Sequence, residues 1–150
     1  MKKRSSLTSG SKTNVEIAFH KASARDAARY VSATTVCEEA LEHGRWIGLY
    51  WSATGHVHRE NVVTDLPGLD SLKRPVHAFE LEIDGQSLHN RWDLVKTSRR
   101  PGKRPGTTEA VVELKHQVRP VTIKVVTRLD GSPVLVRYLE IANTGRKPAA

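Results

Sequence analysis

The chain has 150 residues, of which 38% are hydrophobic and 27% charged. That is room for one ordinary domain, and no run approaches the roughly 20 apolar residues that a membrane-spanning helix needs. A single cysteine, Cys37, excludes an internal disulfide and a cysteine-built metal cluster, fits a reducing compartment, and points to the cytoplasm.

The formal net charge is +8, matched in number by eight clustered cations: Lys2, Lys3, Arg4 and Lys12 near the start, and Arg99, Arg100, Lys103 and Arg104 within 98–106. Residues 1–21 read as a loose basic tail. The start, Met1 to Arg4, is followed by serine, threonine and lysine rather than an apolar run, so a signal peptide is not expected. The 98–106 run holds two Pro-Gly pairs and reads as a loop. Such a loop could touch phosphates, but it lacks interleaved aromatics, and a solvated or partner-facing loop is the stronger reading.

Near residues 25–42 two patterns compete. Ala24, Ala27, Ala28, Val31, Val36, Ala40 and Leu41 recur at spacings near three and four, and Gly44 stands where a helix would be capped. Against that, 30–36 is rich in β-formers. The spacing favours one helix here.

From residue 45 onward the chain reads as strands and turns. Ile47, Leu49 and Trp51 alternate with Tyr50. In 77–83, Phe79, Leu81 and Ile83 face one way and Glu80 and Glu82 the other, and Asp84-Gly85 then turns the chain. Residues 107–116 alternate Ala110, Val112 and Leu114 against Glu113 and Lys115. Residues 121–129 alternate Val121, Ile123, Val125 and Leu129 against Lys124 and Arg128. A turn at 130–133 leads to a strand over 134–141, and Asn143-Thr144-Gly145 turns again. Consecutive strands with tight turns build antiparallel sheets, and one charged face per strand predicts an all-β sandwich. The final turn implies a further strand, so the chain is expected to be a fragment of a longer product, with an unpaired edge.

Candidate chemistry is sparse. His56 and His58 could share a strand face, but no third metal ligand is evident. Asp65, Asp70, Glu80, Glu82, Asp84 and Asp93 supply carboxylates, yet Glu80 and Glu82 sit on a solvated face. No phosphate-cradling loop or nucleophile elbow appears, so neither cofactor nor metal is expected. Cys37 reads as a small packed residue. Trp46 and Trp51 read more as core than as sugar platforms. Trp92, among charged neighbours, reads as a partly exposed ring, and Trp92, Asp93 and Trp51 are the candidates for a carbohydrate or interface contact.

Residues 79–88 (Phe-Glu-Leu-Glu-Ile-Asp-Gly-Gln-Ser-Leu), then Arg91-Trp92, then 110–116, 121–125 and 129–143, resemble in their order the N-terminal domain of family 36 α-galactosidases. The most specific piece runs from Arg137 through Leu139-Glu140-Ile141-Ala142-Asn143 to Gly145 and Pro148. The resemblance covers about residues 45–150 and implies an incomplete β-supersandwich of galactose-mutarotase type. It further implies a retaining hydrolase of terminal α-galactosides, whose nucleophile and acid/base aspartates lie in a following (β/α)₈ barrel. No position here matches those aspartates, so the chain by itself carries no catalytic residue. The β-domain's implied tasks are packing on the barrel, rimming its pocket and joining subunits. Two alternatives stand beside it: a free carbohydrate-binding sandwich using Trp92 or Trp51, and a nucleic-acid-binding domain using the tail and the 98–106 loop.

Overall fold

The computed structural model describes residues 14–22, 24–55 and 76–148. Their fold is all-β, and they include no helix. The strands are β1 (Val15–Ala22), β2 (Arg25–Ser32), β3 (Thr35–Glu42), β4 (Arg45–Ser52), β5 (Val76–His77), β6 (Glu82–Ile83), β7 (Gln86–Ser87), β8 (Trp92–Pro101), β9 (Thr108–His116), β10 (Val121–Leu129) and β11 (Val136–Asn143). One antiparallel sheet has the order β1-β2-β3-β4-β5, the other β11-β10-β9-β8, and β6 pairs with β7 as a small hairpin between them in sequence. The two larger sheets pack face to face as a sandwich.

The helix expected near residues 25–42 is absent, and its place is taken by β2, the turn at Ala33 and Thr34, and β3. The cause is burial on both faces. Ala28 and Tyr30 look inward, while Ala27 and Val31 look to the opposite face, and all four are buried. A strand enclosed on both sides loses its period of two, and here the leftover pattern of small residues imitates a helix. Gly44 is not a helix cap. His43 (φ 49°) and Gly44 (φ 71°) form the two-residue turn between the paired residues Glu42 and Arg45. Asp84 (φ 51°) and Gly85 (φ 71°) do the same between Ile83 and Gln86. Positive φ at both turn residues matches the right-handed twist of the flanking strands.

The expectation of a loose tail over residues 1–21 also needs correction. Val15 to Ala22 pair in full register with β2 (Ile17 opposite Tyr30, Phe19 opposite Ala28), and Ile17 is buried. Residues 1–13 lie outside the described residues. The strand expected over 77–83 is broken into β5 and β6, but its in-and-out alternation survives, with Ile83 buried and Glu80 and Glu82 exposed. The strands expected over 107–116 and 121–129 stand as β9 and β10, and the one over 134–141 starts and ends two residues later as β11.

The core lies between the sheets. Ile17, Tyr30 and Trp46 meet Val112, Leu114, Ile123, Val125 and Leu129, with Trp92 closing one end. At the other end the Ser32 hydroxyl donates to the Ser132 carbonyl (2.6 Å) and the Thr35 hydroxyl to the Pro133 carbonyl (2.7 Å). The two sheets are thus tied at both ends, because near Trp92 its backbone N–H donates to the Gly44 carbonyl (2.9 Å).

That last contact sets a sharp requirement on residue 44. A Cβ there would stand 2.9 Å from the Arg91 nitrogen, at a φ that side chains disfavour. Gly44→Ala is therefore expected to destabilise the fold by about 1–3 kcal/mol, read as a lower urea midpoint with an unchanged slope. A variant as stable as the parent would show that the turn and β8 do not depend on this close approach.

Candidate functional site

Three places in the sandwich gather polar or aromatic groups. The first is buried between the sheets. Glu39 on β3 is 2% exposed. Arg137 on β11 donates to one of its carboxylate oxygens and Trp46 Nε1 to the other (2.9 Å). The Arg137 guanidinium also donates to Thr127 Oγ1 (2.9 Å) and lies 5.9 Å from the Tyr30 ring centroid. Burial alone would depress the Arg137 pKa, but the charge and hydrogen bond of Glu39 outweigh it. Cys37, beside this cluster, is pushed up to about 12 by burial first and by the Glu39 charge second. A thiol held that far from ionisation is a poor nucleophile. The cluster is a strut between sheets.

The second place is the corner where the chain enters β8. The Trp92 ring is fully enclosed. Its Nε1 donates to the Leu88 carbonyl (2.9 Å), and the ring packs T-shaped with Phe79 (5.7 Å between centroids) and with His116 (4.9 Å). The partly exposed ring expected from its charged neighbours is therefore not found. Asn90, Arg91 and Asp93 are charged or polar because they point outward from a corner whose inside is filled by the indole. Trp92 presents no stacking face to a sugar. Asp93 is exposed and accepts a hydrogen bond from Gln117 (2.8 Å).

His116 completes this corner. It is 5% exposed, and its Nδ1 accepts from the backbone N–H groups of Val118 (3.3 Å) and Arg119 (2.9 Å). Burial pushes its pKa below the ordinary value, and the Arg91 and Arg119 charges push the same way. Outside it lies an open depression of about 370 Å³, lined among others by Gln86, Ser87, Asn90, Arg91, His116 and Arg119.

The third place is the side of the sandwich bounded by β4 and β11. An extra residue in β4, marked by the register shift at Glu38 and Glu39, reverses the alternation. Ile47 pairs with Ala40, and Trp51 with Cys37. The shared face expected for Ile47 and Trp51 is thereby undone. Trp51 stands on the face that carries Cys37 and Tyr30, yet it is 64% exposed. Ile141, opposite Ile123 on the inner face of β11, is 53% exposed.

The basic run at 98–106 is split by the fold. Arg99 donates to the Ile17 carbonyl. Arg100 binds Glu109 (2.7 Å) and Glu140 (2.5 Å), while the Tyr138 hydroxyl donates to Glu109 (2.9 Å). Val111 and Val126, both buried, alternate with the core-facing residues of the same strands, and Val126 is paired with Tyr138. Arg99, Lys103 and Arg104 are the exposed cations of that run, and of these Lys103 and Arg104 stand at the hairpin tip. His56 and His58 lie outside the described residues. Among the described residues, no group of three or more His, Cys, Asp or Glu side chains is placed to hold a metal, and no helix is long and apolar enough to cross a membrane. No known protein family, curated protein or solved structure matches this chain.

Sequence reasoning missed Glu39, His116 and Arg91. A signal existed for the first: two adjacent carboxylates, Glu38 and Glu39, in an otherwise apolar stretch cannot both face water on a strand. His116 and Arg91 gave none, since their roles depend on a corner made by three separated segments.

Two outcomes follow. Arg137→Met leaves the Glu39 charge buried alone and is expected to cost about 3–5 kcal/mol. The double variant Glu39→Gln/Arg137→Met, which keeps an acceptor for Trp46, is expected to recover part of that loss in a urea double-mutant cycle. Near-additive losses would remove the coupling. His116 sets a pH dependence. The unfolded imidazole takes its proton near its ordinary value of about 6.5, whereas the folded one resists until lower pH. Stability is then lost as pH falls below that ordinary value and levels off below the folded pKa, with no contribution to the slope above it. His116→Phe should flatten this portion of the profile; an unchanged slope would assign it to other groups.

Proposed function

We propose that this chain is a non-catalytic β-sandwich domain of an α-galactosidase-like glycoside hydrolase, packing beside a catalytic barrel and shaping the rim of its pocket. The observation that carries the reading is the exposure of Trp51 and Ile141 on inner sheet faces. An indole and an aliphatic side chain on core-facing positions, both more than half exposed, mark a side of the sandwich suited to another apolar body. Further support comes from the order of residues that resembles family 36. Leu88, Trp92, Leu114, His116, Val121, Ile123 and Val125 are all buried, and Phe79 packs against them. The resembling segments thus belong to one packed unit.

The family mechanism, double displacement by two carboxyl groups, would reside in the barrel. Partners in this reading are that barrel or neighbouring subunits, with α-galactosides as the substrates of the whole enzyme. The half-buried thiol of Cys37 fits a reducing compartment, and the cytoplasm is the location that accords with it. A free-standing carbohydrate-binding sandwich is the second reading, favoured by the one exposed indole among the described residues, Trp51. A nucleic-acid interface has less support, because Arg99 and Arg100 are engaged within the fold.

The deciding experiment joins gene sequence to activity. The coding sequence 3′ of the Ala150 codon is read, and its whole product is assayed on p-nitrophenyl α-galactoside. An encoded barrel whose activity falls when residues 1–148 are deleted supports the proposal. A product without a barrel, or one inert toward α-galactosides, rejects it. In that case quenching of tryptophan fluorescence by galactosides, abolished by Trp51→Ala, tests the second reading.

A further inference from the structure

The geometry points to an oxyanion-binding site in the depression at the entry to β8, with Arg91 as its principal ligand and Arg119 as its second. Four observations converge. Arg91 holds φ 65°, a left-handed conformation that a long side chain seldom adopts and that costs free energy. It is held there from both sides. The Gln117 N–H donates to its carbonyl (2.9 Å), and the next N–H, that of Trp92, is fixed on Gly44. The strain therefore fixes where the Arg91 side chain emerges.

Second, the Arg91 guanidinium has no hydrogen-bond or ion-pair partner among the described residues, whereas Arg119, the other cation of this depression, is paired with Asp84. Third, the charged side chains lining the depression are arginines. Arg119 lines it too, oriented by Asp84 (2.9 Å), and no Asp or Glu is among the described residues that line it. Fourth, the floor stays uncharged at neutral pH. His116 Nδ1 is occupied as an acceptor from two backbone N–H groups and so carries no proton. The uncompensated charge is that of the Arg91 guanidinium, with the Asp84-paired Arg119 beside it, and a guanidinium fork suits the paired oxygens of a carboxylate or phosphate.

Gln86, Ser87 and Asn90 border the same space and can hydrogen-bond hydroxyl groups. The fitting ligand is a small hydroxylated molecule bearing an oxyanion. It is not a neutral sugar, because Trp92, the aromatic of this corner, is enclosed and offers no stacking face. The residues that line the depression lie outside β4 and β11, so the site is distinct from the open β4–β11 side.

The test titrates the chain with inorganic phosphate, glucuronate and galactose at constant ionic strength, following backbone amides by NMR. Saturable shifts confined to 86–91 and 116–119 are expected for phosphate or glucuronate and not for galactose. Phosphate alone would identify a phosphorylated ligand, and glucuronate alone a carboxylate. Arg91→Asn is expected to weaken binding about tenfold or more. It should leave the melting temperature at or above that of the parent, since Asn accepts the left-handed conformation more readily. Arg91→Lys, which keeps charge and strain but loses the fork, should weaken binding to a lesser degree. Lys103→Ala/Arg104→Ala, at the exposed hairpin tip, should bind as the parent does. The proposal is overturned by any of four results: no saturable shift with either anion, equal binding of galactose, parental affinity in both Arg91 variants, or an equal loss in the hairpin-tip variant.

Discussion

A carboxylate placed where water cannot reach it has to find a cation, and in this sandwich that need joins the two sheets. Glu39 belongs to β3 and Arg137 to β11, 98 residues apart. Satisfying the pair, together with the Trp46 N–H and the Thr127 hydroxyl, requires the two sheets to face each other in one alignment. Apolar packing alone tolerates sliding, since valine and isoleucine faces are much alike. A buried ion pair adds little net stability over a well-packed apolar substitute, but it penalises alignments that leave the charge alone. The extra residue in β4 lies directly opposite this carboxylate, and Gly48 is the residue paired with Glu39.

How much of this could be read in the sequence depended on how many faces of each strand meet water. β9 and β10 alternate charged and apolar residues, and their extents were legible nearly to the residue. β2 and β3 are covered on both sides, so their sequence has no polar face to alternate with, and alanines at 27, 28 and 40 supplied a false helical period. β1 was missed for a different reason: it follows a polar, lysine-rich stretch and carries charges at Glu16 and Lys21. The one clear inward aliphatic in its middle, Ile17, was not enough to set a pattern.

The site residues divide along similar lines. Trp46 is buried as its strand pattern implied, but the exposure of Trp92 and Trp51 is the reverse of what their neighbours suggest. Charged neighbours made Trp92 look exposed, though a strand sends neighbours to the opposite side. The apolar neighbours of Trp51 made it look buried, and the β4 bulge undid that. Arg91 and His116 acquire meaning only when the β3–β4 turn, the entry to β8 and the β9–β10 turn meet at one corner. That is a long-range arrangement with no local signature.

Both large sheets are meanders: every strand is bonded to its neighbour in sequence. The consequence lies in how the chain assembles. Apart from β4 and β5, which residues 53–75 separate, each pairing closes a short loop at small entropic expense, so contact order within either sheet is low and hairpins can form as soon as their residues exist. The first sheet can zip up through β4 while the second is still being synthesised. What remains is a late docking of two preformed surfaces, and the Glu39–Arg137 contact belongs to that event. Until it happens, the acid and the arginine can both stay hydrated, so neither charge is desolvated before its partner arrives.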